Sequence, residues 1–340
     1  MTPPPFDVAA LEAFLCEQGL CRGPLSIKPI GDGHSNLTYL VADSERRLVL
    51  RRPPAGPLPP GGHDVLREAR IQQALSDSDV PVAPVVAVDD SRRVMDAPFY
   101  VMEHLDGTVA TTATPQELDT PVHREAIGGA LVAALAALHR IDPRDVGLED
   151  LGRPSSGTAR HLRRFARIAD PGGDGLTGEL GALLEWLIVS APAPASPTVV
   201  HGDFRLGNIM WAPGAPPRII AVFDWELATI GDPLRDLGYF LATYAVPGED
   251  LHALTAMCAA TLAEGYPTRQ QLAARYAAAT GADLADIAWY MAMALWKLAI
   301  LFEYQRRRDE AGAGDDYYAQ PGLVEGLLAA AQPMTTGVAS

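Results

Sequence analysis

Lysine is nearly absent from this chain of 340 residues, which contains only Lys28 and Lys297. Arginine supplies the rest of the positive charge, and together with the abundance of alanine, glycine and proline this indicates a coding bias. Neither lysine lies in the G-x-x-x-x-G-K pattern whose loop cradles nucleotide phosphates. The sequence therefore disfavours a P-loop enzyme.

Positive charge is in short supply as a whole. The chain has 27 Lys and Arg residues against 42 Asp and Glu residues, which gives a net charge of −15 and a pI near 4.9. A surface of this charge is repelled overall by nucleic acids and by anionic membranes. We expect neither as a general partner, and a local basic patch stays open.

Cysteines and long apolar runs are also few. Cys16, Cys21 and Cys258 are odd in number and form no C-x-x-C pattern, so we expect neither a disulfide framework nor a thiolate metal site, and a reducing cytoplasm fits. The longest apolar run, Ile287 to Phe302, has about 16 residues with Lys297 inside it, whereas about 20 are needed to span a bilayer. The first residues lack the basic and apolar regions of a secretion signal. The prediction is a cytoplasmic protein with no membrane partner.

The first part of the chain alternates strand patterns with helical ones. Helical spacing covers residues 6–19 and 64–75, and Asp64 is placed to cap the second helix. Short strand patterns bounded by turn residues cover residues 25–30, 37–42, 47–51, 85–88 and 99–103. These patterns predict a five-stranded antiparallel sheet with an inserted helix, forming a first lobe over residues 1–103.

Residues 104–340 are mainly helical in pattern. We predict helices over 124–140 and 178–190 and from Leu234 onward, with brief strands at 198–200, 209–211 and 219–223. The last two strands flank the turn APGAPP and form a hairpin, and no internal repeat is visible. With 48% hydrophobic residues the chain can bury a substantial core. A sheet-rich first lobe followed by a helical second lobe predicts an α+β fold of two lobes.

The strongest functional signal is the pair of motifs HGDFRLGN at 201–208 and FDWE at 223–226. Taken singly, Asp203, Asn208 and Asp224 are ordinary turn formers or strand-end caps. Taken together, they are two carboxylates and an amide that the hairpin brings to one place. This set suits phosphoryl transfer, where one carboxylate accepts the proton of the attacking hydroxyl and the other two oxygen ligands hold Mg²⁺.

The H-G-D-x4-N and D-x-E spacing resembles the aminoglycoside-phosphotransferase-like kinases, which include antibiotic kinases and choline kinases and have a bilobal protein-kinase-like fold. LVLRRP at 48–53, REAR at 67–70 and WYMAMALWKLAI at 289–300 are similar to the branch whose kinase domains stand alone in bacteria or are fused to acyl-CoA dehydrogenases in animals. The resemblance covers roughly residues 20–310. It implies ATP- and Mg²⁺-dependent transfer of the γ-phosphate to a hydroxyl of a small molecule, with GTP left open as the donor.

The resemblance also implies roles for residues of the second lobe by matching positions. The Mg²⁺ ligands would be Asn208 and Asp224, and Asp236 would brace the catalytic loop from the following helix. Asp203 would be the catalytic base. Arg205 would contact the γ-phosphate, and His201 would support the loop.

Nucleotide binding is expected in the first lobe. In the motif GDGHSN, Gly31 and Gly33 allow close approach of the backbone and Ser35 can meet a phosphate, although a G-x-G between strands is usually only a turn. Arg51 stands where kinases in general have a strand lysine, and Glu68 on the next helix is placed to pair with it. Arginine keeps the charge of lysine but not its compact head, so the phosphate contact is where this chain departs from the general kinase pattern.

The end of the last predicted strand, Met102, Glu103 and His104, leads into the connector between the lobes. Backbone groups there are expected to pair with adenine while Met102 lines the pocket, and plain core packing of Met102 is the alternative.

Three other functional classes of protein fit the sequence less well. A protein kinase is disfavoured because Asp224 is followed by Trp-Glu rather than Phe-Gly, no A-P-E follows, and Asp236 comes only twelve residues later. A catalytically silent nucleotide-binding module is favoured by Arg51. It is disfavoured by the intact Asp203, Asn208 and Asp224. A hydrolase with a nucleophilic serine is disfavoured because the sequence contains no G-x-S-x-G motif.

The acceptor stays open among several classes, and the sequence gives no signal of oligomeric state. The negative net charge favours a cationic aminoglycoside, whereas the resemblance points to a hydroxy acid or a hydroxyacyl-CoA. The run Arg306 to Arg308 is placed either to meet phosphates of a CoA-like acceptor or to complement a helix C-terminus. Candidate acceptor residues in the second lobe are Glu226, Asp232, Arg235, Trp289, Tyr290, Glu303 and Arg306.

Overall fold

The computed structural model describes residues 4–30, 36–54, 63–152, 158–173, 175–176, 178–310 and 320–336. The chain divides into two compact units. The first unit is formed by residues 1–107 together with 220–227, and the second by residues 108–219 together with 228–340. The first unit therefore includes the FDWE motif, and the second includes HGDFRLGN.

The first unit is built on an antiparallel sheet of five strands in the order β1-β2-β3-β5-β4, as the sequence predicted. Its helices and strands are α1 (Val8–Glu17), β1 (Ser26–Pro29), β2 (Leu37–Ala42), β3 (Arg47–Arg52), α2 (Val65–Leu75), β4 (Val85–Asp89) and β5 (Phe99–Glu103). The predicted cap of α2 is present, since the Asp64 side chain accepts a hydrogen bond from the Arg67 backbone N–H at 3.0 Å.

Two hydrophobic clusters form the core of the first unit. Leu48 and Leu50 of β3 belong to a cluster that includes residues of α1, whereas Val49 belongs to one that includes residues of α2. The separation follows from the alternation of side chains along a strand. Arg51, two residues after Val49, consequently lies on the face that α2 covers.

The cysteines differ from expectation, because Cys16 and Cys21 form a disulfide. Helix α1 ends at Glu17, and Gly19 takes a left-handed conformation with φ of 70° that turns the chain back. The Cα atoms of the two cysteines come within 4.7 Å, inside the range a disulfide bridges. No sequence pattern predicts this pairing, because the turn that brings the two cysteines together depends on a single glycine.

The second unit is mainly helical. Its elements, with β9 at the boundary to the first unit, are β6 (Thr108–Val109), α3 (Pro121–His139), α4 (Thr158–Ala166), α5 (Gly178–Val189), β7 (Thr198–Val200), β8 (Ile209–Trp211), β9 (Ile219–Val222), β10 (Thr229–Gly231), α6 (Leu234–Thr243), α7 (Ala253–Met257), α8 (Arg269–Thr280), α9 (Ile287–Glu310) and α10 (Leu323–Thr335). β7 pairs antiparallel with β10, and β6 pairs antiparallel with β8. The sequence missed β6 and β10, which are too short to show alternation, and α4, whose apolar positions are interrupted by arginines.

Helix α9 lies at the centre of the second unit, where it packs against α6 and α10. A Cβ atom added at Gly238 of α6 would lie 2.6 Å from Cβ of Tyr290 in α9, so this glycine permits the close approach of the two helices. Within the described residues, α9 is the one helix long and apolar enough to cross a membrane by length and composition, and 67% of its most apolar window is buried inside the protein. A core helix passes the same test.

Candidate active site

The loop after β7 holds the carboxylate of Asp203 in a fixed orientation. The Tyr239 hydroxyl donates a short hydrogen bond to Oδ1, and the Asn208 amide donates to Oδ2 at 2.8 Å. Only 15% of the Asp203 side chain is exposed. The carboxylate is thus held from two sides, the pre-organisation that a general base requires.

Asn208 is tied to the same residue twice. Its side-chain nitrogen also donates to the Asp203 backbone carbonyl at 2.8 Å, which closes the loop onto the last residue of the short helical turn at 206–208. Because the amide nitrogen is committed to Asp203, the amide oxygen is the atom that would ligate a cation.

Asp236 in the first turn of α6 anchors the catalytic loop. Its carboxylate accepts hydrogen bonds from the backbone N–H of His201 at 2.6 Å and of Gly202 at 2.8 Å, and it lies 3.2 Å from Nε2 of His139. Burial opposes the charge, but the His139 hydrogen bond and the other partners outweigh it and lower the pKa of Asp236. The residue therefore stays ionised and braces the loop, in agreement with the role expected from its position.

His201 is completely buried, and its Nδ1 accepts a hydrogen bond from the Asp203 backbone N–H at 3.1 Å. The ring thus supports the backbone of the loop. Arg205 lies close to the carboxylate, with Nε 3.3 Å from Oδ1 of Asp203. A positive charge at this distance is placed to attract phosphoryl oxygens as well as the carboxylate.

Sequence reasoning missed two residues of this arrangement, Tyr239 and His139. Tyr239 lies three positions after Asp236 on α6, so both side chains emerge from one side of the helix, and this spacing was a signal available in the sequence. Burial and the neighbouring Asp203 carboxylate raise the pKa of Tyr239, which keeps its hydroxyl protonated as a donor. His139 ends α3 and bridges Asp236 to the Tyr276 hydroxyl, which lies 2.7 Å from its Nδ1. A contact of such sequence separation carries no local signal.

The first unit places Arg51 between two carboxylates. Its Nε lies 2.8 Å from Oε2 of Glu68, so the ion pair expected from the sequence is present, and its second terminal nitrogen lies 3.0 Å from Oδ1 of Asp224. Burial disfavours the charge of Arg51, but Glu68 and the other acidic groups outweigh it and raise the pKa of the guanidinium. Arg51 is therefore charged and already neutralised by the protein.

Glu68 is the hub of a buried polar network. Its carboxylate accepts a hydrogen bond from the Asn36 amide at 2.5 Å and from the Tyr100 hydroxyl at 3.3 Å, and Gln72 donates to the same hydroxyl at 2.9 Å. Burial, together with the Asp224 carboxylate and against the effect of Arg51, raises the pKa of Glu68 to about 7. The network fixes the position of Arg51 on the face covered by α2.

Asp224 has a left-handed backbone with φ of 67°, which non-glycine residues rarely adopt. The next residue, Trp225, is buried and donates from its indole nitrogen to the Val222 carbonyl at 2.9 Å. The backbone after β9 thus turns sharply at Asp224. Backbone strain of this kind concentrates at functional sites, and the Mg²⁺-ligand role of the carboxylate stays a prediction.

The predicted adenine-binding segment has mixed contacts. Met102 is buried in the cluster with Val49 and Tyr100. Glu103 forms an ion pair with Arg46, and the His104 backbone N–H donates to the Arg47 carbonyl at 3.3 Å. Their assignment to nucleotide binding stays a prediction. Gly31, Gly33 and Ser35 lie outside the described residues.

Most candidate acceptor residues bind protein groups. Asp232 accepts from the Tyr290 hydroxyl at 2.7 Å and from the backbone N–H of Leu234 at 3.0 Å, and the Trp289 indole donates to the Leu187 carbonyl at 3.1 Å. Glu303 forms ion pairs with Arg306 and Arg307 on its own helix. Glu226 lies in the first unit, where its backbone carbonyl accepts from Arg67 at 3.2 Å.

No group of three His, Cys, Asp or Glu side chains that could hold a metal occurs in the described part of the chain. The predicted Mg²⁺ ligands are a carboxylate and an amide oxygen, and this hard oxygen donor set fits Mg²⁺, which usually takes one or two protein oxygens and keeps the remainder for phosphate and water.

The fold is that of the protein-kinase-like phosphotransferases. The model of a phosphotransferase enzyme family, APH, matches residues 26–275. The chain belongs to this family. It is 30% identical over 319 residues to acyl-CoA dehydrogenase family member 10 of Mus musculus, covering 92% of this chain and 29% of that protein.

Solved structures agree with this assignment. A Ralstonia eutropha protein classed with the aminoglycoside phosphotransferases is 28% identical, with a TM-score of 0.76 over 97% of this chain and 96% of that one. Aminoglycoside phosphotransferase APH(4)-Ia, solved with ADP and hygromycin B, shares the fold at 16% identity, with a TM-score of 0.59 over 97% of this chain and 99% of that one. The chain spans about a third of the length of the curated relatives it matches.

Proposed function

We propose that this protein transfers the γ-phosphate of ATP, with Mg²⁺, to a hydroxyl group of a small molecule. The observation that carries the proposal is the Asp203 carboxylate, which Tyr239 and Asn208 hold in one orientation on a loop anchored by Asp236. A carboxylate so constrained, and close to Arg205, is suited to accept a proton beside a group that carries negative charge.

In the proposed reaction, the acceptor hydroxyl gives its proton to Asp203 as its oxygen bonds to the γ-phosphorus, and the bond to the leaving ADP breaks. Arg205 stabilises charge on the phosphoryl oxygens. Asn208 and Asp224 would hold Mg²⁺, which supplies neutralisation of phosphate charge when bound. Catalysis of this kind is mostly positioning and electrostatic stabilisation, since the protein forms no covalent intermediate.

Arg51 is the proposed phosphate contact of the first unit. Its guanidinium has five N–H donors in a planar fork, so it can keep its contact with Glu68 and still donate to a phosphate. The Asp224 carboxylate, which faces Arg51, is one of the two groups that would hold Mg²⁺. GTP is the alternative donor.

For the acceptor we propose a hydroxy acid or a hydroxyacyl-CoA. The similarity to acyl-CoA dehydrogenase family members supports this class, because phosphorylation converts a hydroxyl into a good leaving group ahead of further acyl chemistry. An aminoglycoside is the alternative, supported by the fold shared with a structure that contains hygromycin B.

The test is Mg²⁺-dependent formation of ADP, with the phosphorylated product identified by mass spectrometry, across hydroxy acids, hydroxyacyl-CoAs and aminoglycosides. Asp203→Asn should lower turnover by about 10² or more and leave nucleotide affinity largely intact. Asp145→Asn is the matched control, because Asp145 is exposed in the second unit and lies outside the loop.

Equal turnover by the parent and Asp203→Asn would refute the role of Asp203. Tight binding of Mg-ATP without product from any acceptor class would instead support a silent nucleotide-binding module. Asp224→Asn should weaken binding of Mg-nucleotide as well as turnover, which separates the ligand role from the base role.

A further inference from the structure

Two basic side chains of the second unit contact one aromatic ring, and a third acts on them electrostatically. Nζ of Lys297 in α9 lies 5.0 Å from the centroid of the Phe165 ring, and the His161 ring stacks on the same ring at 6.5 Å. Arg235 in α6 is close enough to act electrostatically on both Lys297 and His161. We call His161, Arg235 and Lys297 the basic cluster.

The basic cluster has no ion-paired or hydrogen-bonded partner in the described part of the chain, although Asp232 and Asp236 act electrostatically on Arg235 and Asp236 acts on Lys297. The side chains of Arg235 and Lys297 form neither a hydrogen bond nor an ion pair there, and Nε2 of His161 is buried without a hydrogen bond. The Phe165 ring gives Lys297 a cation–π contact, which compensates an ammonium only in part.

The nearest carboxylates are already occupied. Asp232 accepts from the backbone N–H groups of Leu234 and Ala195 and from the Tyr290 hydroxyl. Asp236 accepts two backbone N–H groups of the catalytic loop and faces His139. Each carboxylate therefore has three structural contacts, and neither forms an ion pair with Arg235, although both act on it electrostatically.

The electrostatics agree with this geometry. Burial lowers the pKa of Lys297 to about 8, with Arg235 adding to the effect and Asp236 opposing it. Burial lowers the pKa of His161 to about 3, and Lys297, Arg235 and Arg164 lower it further, so His161 is a neutral imidazole with one N–H to donate. Burial also lowers the pKa of Arg235.

Unpaired basic groups away from water cost free energy, and folded proteins retain such an arrangement where a ligand supplies the missing charge. We infer that His161, Arg235 and Lys297 bind an oxyanion, a carboxylate or a phosphate, carried by the acceptor. This inference rests on the proposed phosphotransferase function and deepens it. Arg235 can form a forked contact with either oxyanion, Lys297 supplies a point charge and His161 donates one hydrogen bond.

The position of the basic cluster ties it to the reaction. Arg235 is the neighbour in sequence of Asp236, whose carboxylate holds the loop that carries Asp203. One helix thus positions both the anion site and the proposed base. A polycationic acceptor would be repelled by the same side chains, so the cluster selects a hydroxylated anion over an aminoglycoside.

The test measures binding without nucleotide, by calorimetry, with 3-hydroxybutyrate as the carboxylate probe, coenzyme A as the phosphate probe and 1,3-butanediol as the uncharged match of the first. The proteins are the parent, Arg235→Gln, Lys297→Met and, as control, Lys28→Met, which removes the other lysine of the chain from an exposed position on β1. We expect the parent and Lys28→Met to prefer an anionic probe to the diol by about tenfold or more, which corresponds to roughly one charge-assisted contact.

Arg235→Gln and Lys297→Met should each lose about tenfold in affinity for that anion and leave the diol unaffected. Loss confined to 3-hydroxybutyrate identifies a carboxylate, and loss confined to coenzyme A identifies a phosphate. Unchanged anion affinity in both variants, or no binding of either anion to the parent at about 10 mM, overturns the inference. Circular dichroism and thermal unfolding show that each variant is folded.

The readout separates this inference from the proposed function. Anion binding that depends on Arg235 and Lys297, in a protein that forms no ADP, would leave the anion site standing and remove the kinase. Turnover that depends on Asp203, with anion affinity unchanged in the two variants, would leave the kinase standing and remove the anion site.

Discussion

The two units treat their buried positive charges in opposite ways. In the first, Arg51 lies between the Glu68 and Asp224 carboxylates, and only 15% of its side chain is exposed. In the second, Arg235 and Lys297 lie near each other with no ion pair in the described residues. A paired charge is compensated by protein groups, which a ligand can replace. An unpaired charge lowers the stability of the fold until a ligand of opposite charge binds.

Removing a carboxylate partner of Arg51 should have the largest effect on stability. Glu68→Ala leaves Arg51 with one carboxylate and also removes the acceptor of the Asn36 amide, so we expect a loss of about 3 to 5 kcal/mol in the free energy of unfolding. Urea denaturation measures it. Glu45→Ala is the control, because Glu45 forms an exposed ion pair with Arg22 that is worth about 0 to 1 kcal/mol. Equal losses in the two variants would contradict the comparison.

The Asp203 carboxylate, like Arg51, has partners within the protein. Tyr239→Phe tests what the loss of one partner does. The variant removes the hydroxyl that donates to Asp203, so turnover should fall by about tenfold with little change in nucleotide affinity. Thr243→Val on the same helix is the control, since the Thr243 hydroxyl donates to the helix carbonyls of Tyr239 and Phe240. Unchanged turnover in Tyr239→Phe would show that Tyr239 does not act on Asp203.

Removing a member of the unpaired cluster should have the opposite sign. We expect Lys297→Met to stabilise the protein by about 1 kcal/mol at pH 7, because it removes a desolvated ammonium and keeps the apolar stem. The pKa of Lys297 is lowered to about 8 in the fold, so the unfolded chain binds more protons between pH 8 and its ordinary value. The destabilisation is therefore complete below pH 8 and disappears as the pH rises above that value, and the advantage of the variant should shrink accordingly.

Chemical denaturation at pH 7 and pH 10 measures this difference, with Lys28→Met as the variant expected to lie within about 0.5 kcal/mol of the parent at both. Destabilisation by Lys297→Met would show that Lys297 is a structural residue of the core.

The smallest effect concerns the pH dependence of anion binding. Lys297 loses its charge as the pH passes about 8, while Arg235 keeps its charge and His161 is already neutral, so the affinity for an anionic probe should fall by about three- to tenfold between pH 7 and pH 9.5. The other charged groups that act on the cluster are Arg164, Asp232 and Asp236. Calorimetry at a series of pH values tests this, and Lys297→Met should show a flat profile. A parent profile as flat as that of the variant would exclude Lys297 from the site.

Local patterns were sufficient to predict the sheet and much of the site. β2 and β5 begin and end at the predicted residues, and the Arg51–Glu68 pair follows from strand alternation and a neighbouring helix. The third partner, Asp224, lies 173 positions away from Arg51, and no local pattern reports such a distance.

The basic cluster was hidden for a related reason. Arg235 was predicted as an acceptor residue, but His161 lies on α4, an element the sequence did not predict, and Lys297 looked like an interruption in an apolar run. Their interpretation depends on the lack of an ion pair to them among the described residues, which is a property of three-dimensional packing.

Helix α6 presents Asp236 and Tyr239 to the catalytic loop and Arg235 to the basic cluster. Successive residues of a helix point about 100° apart, so these duties fall on different sides of one ten-residue rod. Replacement of Arg235 should therefore change the basic cluster without disturbing Asp236 and Tyr239, which hold the Asp203 loop. Insertion of one residue between positions 235 and 239 would instead rotate Arg235 by about 100° relative to Tyr239, so a change in the length of α6 should disturb both arrangements at once.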